Sequence, residues 1–261
     1  MEITLRNKNA LVGGSTSGIG KAIANQLAEC GANVTLMARS ENKLKSTICE
    51  LDTTKGQNHD YMVVDFSNFD SYKTMITNYF NTKYVNILVN NTQGPESGDV
   101  LEKSFSDYQS AFDLLFQTVT FTSLSAISGM KENGFGRIIN VSSLTVREPK
   151  SHLVLSNTMR MALVSWSKSL AAELAQYNIT VNSILTGYFY TERLQNLIKS
   201  QSFKNGVDYE SYERSLIESV PMKRFGRPEE YGYLASFLAS DLASYITGAS
   251  IPIDGGLLKS I

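Results

Sequence analysis

The sequence reads Gly13-Gly14-Ser15-Thr16-Ser17-Gly18-Ile19-Gly20 where its first apolar run ends, and then continues into the helix-forming stretch Lys21-Ala22-Ile23-Ala24. A glycine-rich turn between a first strand and a helix lets the backbone approach a pyrophosphate, which the free N–H groups and the helix dipole stabilise. Gly14, Gly18 and Gly20 therefore predict dinucleotide binding. The alternative, a tight turn that merely joins strand to helix, is less favoured because both elements flank the stretch.

Short apolar runs alternate with helical patterns along the rest of the chain. Predicted strands are Ala10 to Gly14, Val34 to Met37, Tyr61 to Val64, Asn86 to Val89, Arg137 to Val141 and Ile179 to Ile184. Between them, windows such as Ile19 to Cys30 and Trp166 to Tyr177 place apolar residues at the three- and four-residue spacing of a helix. This alternation predicts a parallel sheet with helices on both faces.

Length and charge limit the class of protein. A chain of 261 residues with 42% hydrophobic content can bury one sizeable core, so we expect one domain over residues 1–261. Residues 191–221 are polar and interrupt the alternation, which is typical of a helical flap over a cleft or of a decorative insertion. The 24 basic and 25 acidic residues include no basic run that would follow nucleic acid or a membrane surface. A small-molecule partner is therefore favoured.

The two cysteines indicate a reducing compartment. Cys30 and Cys49 lack metal-ligand spacing, so they are interpreted as small apolar packing residues, and no metal site is expected. The N-terminal residues do not show the basic and apolar regions of a leader, and no run reaches eighteen apolar residues. We therefore expect a cytoplasmic protein.

Further motifs follow the glycine turn in a fixed order. They are Asp65-Phe66, Asn90-Asn91, Arg137 to Ser143, Leu170 to Leu174, Ile179 to Asn182, Phe225 to Glu230, and Thr247-Gly248 through Asp254-Gly255-Gly256. Together with the G-x-x-x-G-x-G spacing, these motifs resemble the short-chain dehydrogenase/reductase family over nearly the whole chain. The resemblance implies an α/β fold, a doubly wound Rossmann-type three-layer sandwich whose central parallel sheet has about seven strands.

The resemblance also implies a set of residues that bind a nicotinamide dinucleotide. The set comprises Gly14, Ser15, Ser17, Gly18, Ile19, Gly20, Arg39, Asp65, Phe66, Asn91, Gly187 and Thr191. Ala38 stands where members that prefer NAD place an acid, and the adjacent Arg39 could pair with a 2′-phosphate, assisted by Ser15 or Ser40. NADP is therefore favoured over NAD. Against this, Ser17 stands where many NADP-dependent members carry a second basic residue.

The expected catalytic motif is altered. Where the family has Tyr-x-x-x-Lys, the chain reads Ser156-Asn157-Thr158-Met159-Arg160, and Ser143 lies at the usual thirteen positions before Ser156. The family's catalytic asparagine aligns with Leu115. This pattern resembles a divergent subgroup similar to 3-oxoacyl-(acyl-carrier-protein) reductases. The predicted catalytic residues are Ser143, Ser156 and Arg160.

Ser156 and Arg160 are four residues apart, hence on one helix face, and Ser143 could meet them across the cleft. A serine hydroxyl is a much weaker acid than a phenol and arginine stays charged, so this pair cannot relay protons as Tyr and Lys do. Arg160 could hold the nicotinamide ribose or an anionic substrate; an ordinary polar pair is equally favoured. Other candidate proton donors beside the cleft are Lys150, His152, Tyr188 and Tyr190, although each is more often a loop residue.

Three hypotheses remain for the function. The favoured one is an NADP(H)-linked oxidoreductase acting on a small acyl or acidic carbonyl compound. The others are a dinucleotide-binding sensor or scaffold without turnover, and a non-redox reaction on the same fold. The resemblance further implies a homotetramer or a dimer, assembled through helices predicted at Phe105 to Lys131 and Leu153 to Tyr177.

Overall fold

A parallel β-sheet forms the centre of the molecule. The computed structural model describes residues 2–260. Within them, one seven-stranded sheet has the order β3-β2-β1-β4-β5-β6-β7, and every neighbouring pair is parallel. The strands are β1 Asn9–Gly13, β2 Asn33–Ala38, β3 Asp60–Val63, β4 Ile87–Asn90, β5 Gly136–Ser143, β6 Ile179–Thr186 and β7 Ser250–Ile253. The predicted doubly wound α/β fold is confirmed.

Nine α-helices connect the strands within the described residues. They are α1 Gly18–Glu29, α2 Glu41–Glu50, α3 Phe69–Phe80, α4 Phe105–Phe112, α5 Thr118–Glu132, α6 Val154–Leu174, α7 Glu192–Asn205, α8 Tyr209–Ser219 and α9 Pro228–Ala239. The segment 191–221 contains α7 and α8. None of the helices in residues 2–260 has the length and apolar character needed to span a membrane.

The helices bury both faces of the sheet. Side chains of β1 alternate, since Ala10 and Val12 join a core under α1, α2 and α9, while Leu11 joins a second core under α3, α5 and α6. Both cores contain fully buried aliphatic side chains, such as Leu27 in the first and Ile76 in the second. Burying one such side chain contributes about 1.5–3 kcal/mol. The continuous apolar strands of the sequence are explained by this double coverage.

The helix predicted from Phe105 to Lys131 is not a single α-helix. A π-helical turn at Asp113–Gln117 separates α4 from α5 and buries Leu115. The Thr118 hydroxyl donates to the carbonyl of Leu114 at 2.7 Å, and Thr122 repeats this bond to Thr118 at 2.8 Å. Such back-bonding to the preceding turn competes with regular helix geometry and often accompanies a bend.

The two cysteines have different environments. Cys30 is buried at the end of α1, as expected of an apolar packing residue. Cys49 is exposed on α2, so the prediction that it packs in the interior is wrong. Leu44 and Thr47 are the residues that form the buried face of that helix.

The strand order reverses between β1 and β4. The chain leaves the carboxyl ends of these two strands in different directions, which opens a crevice at that edge of the sheet. The glycine turn follows β1, and Asn91 follows β4 directly. The fold therefore brings the two predicted dinucleotide-binding segments to one place.

Candidate functional site

The glycine turn has a backbone that other residues rarely adopt. Gly14 and Gly18 have φ angles of +55° and +51°, in the left-handed region where glycine lacks the steric penalty of a Cβ atom. Ser17 is extended and precedes α1 without forming a side-chain cap. The first N–H groups of α1 therefore face the crevice without a capping side chain from that residue.

Asn91 packs tightly against this turn. Its side-chain Nδ2 donates to the carbonyls of Gly13 at 3.0 Å and Gly14 at 3.5 Å. A Cβ atom on Gly14 would lie 2.8 Å from this Nδ2, and one on Gly20 would lie 2.2 Å from the Gly14 carbonyl oxygen. The turn thus depends on glycine for its shape and for its close contact with Asn91.

The start of the flap lies opposite the turn. The Thr191 methyl carbon is 3.2 Å from the position that a Cβ of Gly18 would occupy. Thr191 also caps α7, because its hydroxyl oxygen accepts from the Leu194 N–H at 3.3 Å. Gly187 has a different role, since its missing Cβ leaves room for Asp254 at 2.7 Å. Packing against the C-terminal turn therefore explains why position 187 is a glycine.

Two other predicted residues of the turn contribute through packing. The Ser15 hydroxyl is fully buried and accepts from the Met37 N–H at 3.0 Å. The Ser15 side chain is thus held against β2, and its assistance with a 2′-phosphate stays a prediction. Ile19 is half-buried against the core beneath α1.

Residues after β2 and β3 border the other side of the crevice. Arg39 is exposed directly after Ala38, and Ser40 caps α2 by accepting from Lys43. Hydrogen bonds from Ser67, with a smaller contribution from the charge of Arg39, lower the pKa of Asp65. The Phe66 ring is buried 5.3 Å from Tyr72 and lines a narrow cleft together with Asn91. Arg39 is thus available to an anionic group.

Ser156 and Arg160 are joined on one face of α6, as the four-residue spacing predicts. Arg160 Nε donates to the Ser156 hydroxyl at 3.2 Å, and its Nη1 donates to the Val141 carbonyl of β5 at 2.6 Å. Burial, followed by the charge of Arg193, lowers the pKa of Arg160 to about 10. Arg160 therefore stays protonated at neutral pH, and its remaining N–H groups can still donate.

Ser143 ends β5 beside Thr186 of β6. Its hydroxyl oxygen accepts from the N–H of Thr145 at 3.2 Å and from the Thr145 hydroxyl at 3.1 Å. These bonds fix the serine while using its oxygen as an acceptor. Its own O–H can still donate to a ligand in the crevice.

Arg193, in the first turn of α7, was missed by the sequence analysis. A Cβ on Gly94 would lie 2.1 Å from Arg193 Nη2, so the guanidinium packs directly on this glycine. Desolvation lowers the pKa of Arg193, and its charge acts on Arg160. Within residues 2–260, neither arginine forms a salt bridge. The sequence signal that could have identified Arg193 was the presence of a basic residue at the start of the predicted flap.

Lys150 and Tyr188, two of the candidate proton donors, are in contact. Lys150 Nζ donates to the Tyr188 hydroxyl at 2.5 Å and lies 4.8 Å from the centre of its ring. Burial, followed by the charge of Lys150, lowers the pKa of the nearby His152. Tyr190 is exposed and stacks on Phe225. No group of three or more potential metal ligands occurs within residues 2–260.

The chain is similar to known proteins along nearly its whole length. The family model described as "Enoyl-(Acyl carrier protein) reductase" matches residues 14–258. The NADPH-dependent reductase BacG of Bacillus subtilis is 32% identical over 98% of this chain and 100% of that protein. The 3-oxoacyl-(acyl-carrier-protein) reductase FabG of Aquifex aeolicus is 31% identical over 98% of this chain and 100% of that protein.

A solved structure agrees with these matches. The L-sorbose reductase of Gluconobacter frateurii, complexed with NADPH and L-sorbose, superposes with a TM-score of 0.92 at 30% identity and with complete coverage of both chains. Family model, sequence relatives and structure all extend over the glycine turn, the sheet and the C-terminal turn. The chain belongs to the short-chain dehydrogenase/reductase family.

Proposed function

We propose that this chain is an NADP(H)-dependent oxidoreductase that interconverts a carbonyl compound and an alcohol, with an activity resembling that of the 3-oxoacyl-(acyl-carrier-protein) reductases. The observation that carries the proposal is the bare glycine turn at the point where the strand order reverses. At Gly14 and Gly20 a Cβ would collide with Asn91 or with the turn itself, so glycine lets the turn keep its close contact with Asn91 at the start of α1. This shape fits a pyrophosphate that is bound by helix N–H groups.

The residues around the turn would hold the rest of the cofactor. Gly18 and Thr191 would enclose its centre, and Asp65 with Phe66 would border the adenine end. The absence of an acid at Ala38 and the free Arg39 beside it favour a 2′-phosphate over a 2′-hydroxyl. The relative BacG is described as NADPH-dependent, and the L-sorbose reductase structure contains NADPH. These observations support NADP, with NAD less favoured.

Bound NADPH would supply the hydride that reduces a carbonyl carbon. Ser143 would donate a hydrogen bond to the carbonyl oxygen, since its O–H is the only part of the hydroxyl not used by Thr145. Arg160 would hold the nicotinamide ribose or an anionic part of the substrate with its free N–H groups. Ser156 would hold Arg160 in place through their 3.2 Å bond.

This arrangement departs from the catalytic set of the family. Ser156 stands at the position of the family's tyrosine, and a serine hydroxyl is a poor general acid near neutral pH. Leu115, aligned with the family's asparagine, is an apolar side chain buried in the π-helical turn. We therefore propose an altered site in which the proton for the carbonyl oxygen comes from another group.

The charge of the cleft favours an acidic or acyl carbonyl compound. Arg160 and Arg193 place two guanidinium groups close enough for one to lower the pKa of the other. Two neighbouring guanidinium groups are stabilised by an anionic ligand, and arginine pairs well with a carboxylate or a phosphate. The dinucleotide can supply part of this negative charge, and a substrate carboxylate or phosphate can supply more.

Chain length, cysteine content and family resemblance support a proposal for the wider organisation. We propose that residues 1–261 form one dinucleotide-binding domain with the segment 191–221 as a flap, and that the protein acts in the cytoplasm as a homotetramer or a dimer. We do not propose that the protein binds nucleic acid, because the sequence lacks the run of basic residues that would contact a phosphate backbone.

The proposal is tested by titrating NADPH and NADH into the protein, with detection by cofactor fluorescence. Acetoacetyl thioesters and a panel of ketones, including ketoacids, are then added, and oxidation of the nucleotide is recorded. Tight NADPH binding with oxidation by one of these compounds is the expected result. Binding without oxidation would favour a sensor or a non-redox reaction, and no binding of either nucleotide would contradict the assignment of Gly14, Gly18 and Arg39.

A further inference from the structure

We propose that Tyr188, paired with Lys150, is the group that gives the substrate's carbonyl oxygen its proton. This inference rests on the proposed function. Tyr188 lies in the loop after β6, and Lys150 lies in the loop between β5 and α6. The pair thus combines a phenol and an ammonium group that are brought together by folding and not by helical spacing.

The contact between the two side chains is direct. Lys150 Nζ lies 2.5 Å from the Tyr188 hydroxyl oxygen, within hydrogen-bond range, and 4.8 Å from the ring centre. The half-buried Tyr188 ring packs edge-on against Phe225, with centres 6.1 Å apart and an interplanar angle of 70°. The ring is therefore supported on one side by apolar packing and held at its hydroxyl by a cation.

The fold places this pair at the same edge of the sheet as the predicted catalytic serines. Ser143 of β5 pairs in register with Thr186 of β6, and Tyr188 follows Thr186 by two residues at the same edge of the sheet. On the other side, the Lys150 carbonyl accepts from Asn157 Nδ2 at 2.8 Å. Asn157 is the neighbour of Ser156 in the chain. One member of the pair is thus tied to the strand end with Ser143, and the other to the helix start with Ser156.

A phenol next to an ammonium can act as a general acid. When the carbonyl carbon accepts the hydride from the reduced nicotinamide, the C=O π bond breaks and its electron pair moves to oxygen. That oxygen then takes the proton from Tyr188 Oη, so that one C–H and one O–H bond have formed. The ammonium group of Lys150 stabilises the resulting phenolate through its positive charge and can return a proton to it. Solvent then reprotonates Lys150.

The other candidates fit this role less well. The lowered pKa of His152 reduces its protonated fraction at neutral pH. Tyr190 is 53% exposed and stacks almost parallel to Phe225, 6.5 Å away. Ser156 already accepts from Arg160, and its hydroxyl is a weak acid. Tyr188 is the candidate whose hydroxyl contacts a cation, at the carboxyl edge of the sheet.

The test compares Tyr188→Phe with Tyr190→Phe, two variants that each lose one phenolic hydroxyl from the same loop. Tyr188→Phe should lower kcat by about 10²–10⁴-fold, the usual contribution of general acid catalysis. Its KM and its NADPH dissociation constant should stay within about twofold of the wild type, because the ring remains. Lys150→Met should lower kcat less, Lys150→Arg should recover part of the loss, and Tyr190→Phe should leave kcat unchanged.

A second measurement does not depend on turnover. In the protein without nucleotide, proton–nitrogen NMR of the lysine ammonium groups should show a Lys150 signal protected by its hydrogen bond. This signal should disappear in Tyr188→Phe and persist in Tyr190→Phe. Its presence in Tyr188→Phe would contradict the pairing of Lys150 with Tyr188.

The outcomes separate the two proposals. If the wild type reduces a carbonyl compound and Tyr188→Phe, folded as judged by circular dichroism, retains full kcat, then Tyr188 is not the proton donor and the oxidoreductase proposal stands. If Tyr188→Phe does not fold, Lys150→Met decides in the same way. If the wild type binds NADPH but reduces none of the compounds, both proposals are contradicted.

Discussion

At the scale of single residues, Gly14 shows how one missing Cβ can serve both conformation and binding. Its positive φ alone would make most substitutions unfavourable by roughly 1–2 kcal/mol. In addition, the side chain and the backbone carbonyl of Asn91 leave no room for a methyl group. Conformational strain and loss of binding can be separated, because Gly134 has nearly the same φ, +59°, with open space around it.

Gly14→Ala should weaken NADPH binding by at least about tenfold, which corresponds to roughly 1.4 kcal/mol. Gly134→Ala carries a similar backbone penalty and should leave NADPH affinity unchanged. Fluorescence titration gives the affinities, and urea unfolding gives the stability loss of each variant. Equal NADPH affinity in the two variants would mean that the turn does not bind the pyrophosphate.

Arg39→Ala should reduce NADPH affinity by about 10–100-fold, because a charge-assisted hydrogen bond contributes about 1.5–3 kcal/mol. NADH affinity should change by less than about twofold, since NADH lacks the 2′-phosphate. Lys43→Ala, which removes a nearby positive charge on α2, is the control. A loss of affinity that is equal for both nucleotides would contradict the role given to Arg39.

Residue-level prediction from sequence works where the determinant is local. The positive φ angles of Gly14 and Gly18 and the Ser156–Arg160 pair depend on residues within a few positions, and the structure has both. The buried position of Ser15 depends on Met37, on another strand, and could not be predicted from the turn itself. Arg193 was missed for a similar reason, since its contact with Gly94 joins two segments that are far apart in the chain.

At the scale of elements, α9 begins with an ion pair whose contribution to the free energy of unfolding should decrease in acid. Glu230 accepts from both Nη groups of Arg224, at 2.8 and 2.7 Å, and from the Arg227 N–H at 2.8 Å. The Arg224 side chain is the main reason why the pKa of Glu230 falls to about 2. The unfolded chain, with a Glu pKa near 4.5, takes up this proton first as the pH falls.

The contribution of Glu230 to stability should therefore be complete above about pH 4.5 and should decline as the pH falls toward 2. The difference in unfolding free energy between wild type and Glu230→Gln should shrink by roughly half between pH 5.5 and pH 3. Glu210→Gln, in the first turn of α8, is the control. Urea unfolding at the two pH values provides the measurement; a difference that does not change with pH would contradict the effect.

Elements with a strong apolar period were predictable, and those with a weak one were not. Six strands were identified to within about two residues. β7 was not among the runs found by alternation, because it has only four residues, includes Pro252 and is not fully buried. The π-helical turn inside the predicted fourth helix was also missed, since propensity and periodicity do not distinguish one wide turn from an α-helical one.

At the scale of the whole molecule, α4, α5 and α6 present large exposed side chains. Phe105 is 96% exposed, Leu124 56% and Met161 52%. We expect these residues to be covered in the proposed homotetramer or dimer, because large exposed apolar side chains are often buried at subunit interfaces. Light scattering should give two or four times the mass of one chain. Leu124→Glu combined with Met161→Glu should reduce that mass, whereas Phe203→Glu on α7 should not; a single-chain mass for the wild type would contradict the expectation.

The glycine turn is held in shape by its contact with Asn91, a residue that is far from the turn in the chain. Asn91 is 78 positions from Gly13, and the two meet only where β1 pairs with β4. Closing so large a loop is a slow and entropically costly event in folding. A nascent chain or an N-terminal fragment that ends before β4 would carry the complete glycine motif and still lack the shape that binds a pyrophosphate. Acquisition of nucleotide affinity during refolding should thus report the joining of the two halves of the sheet.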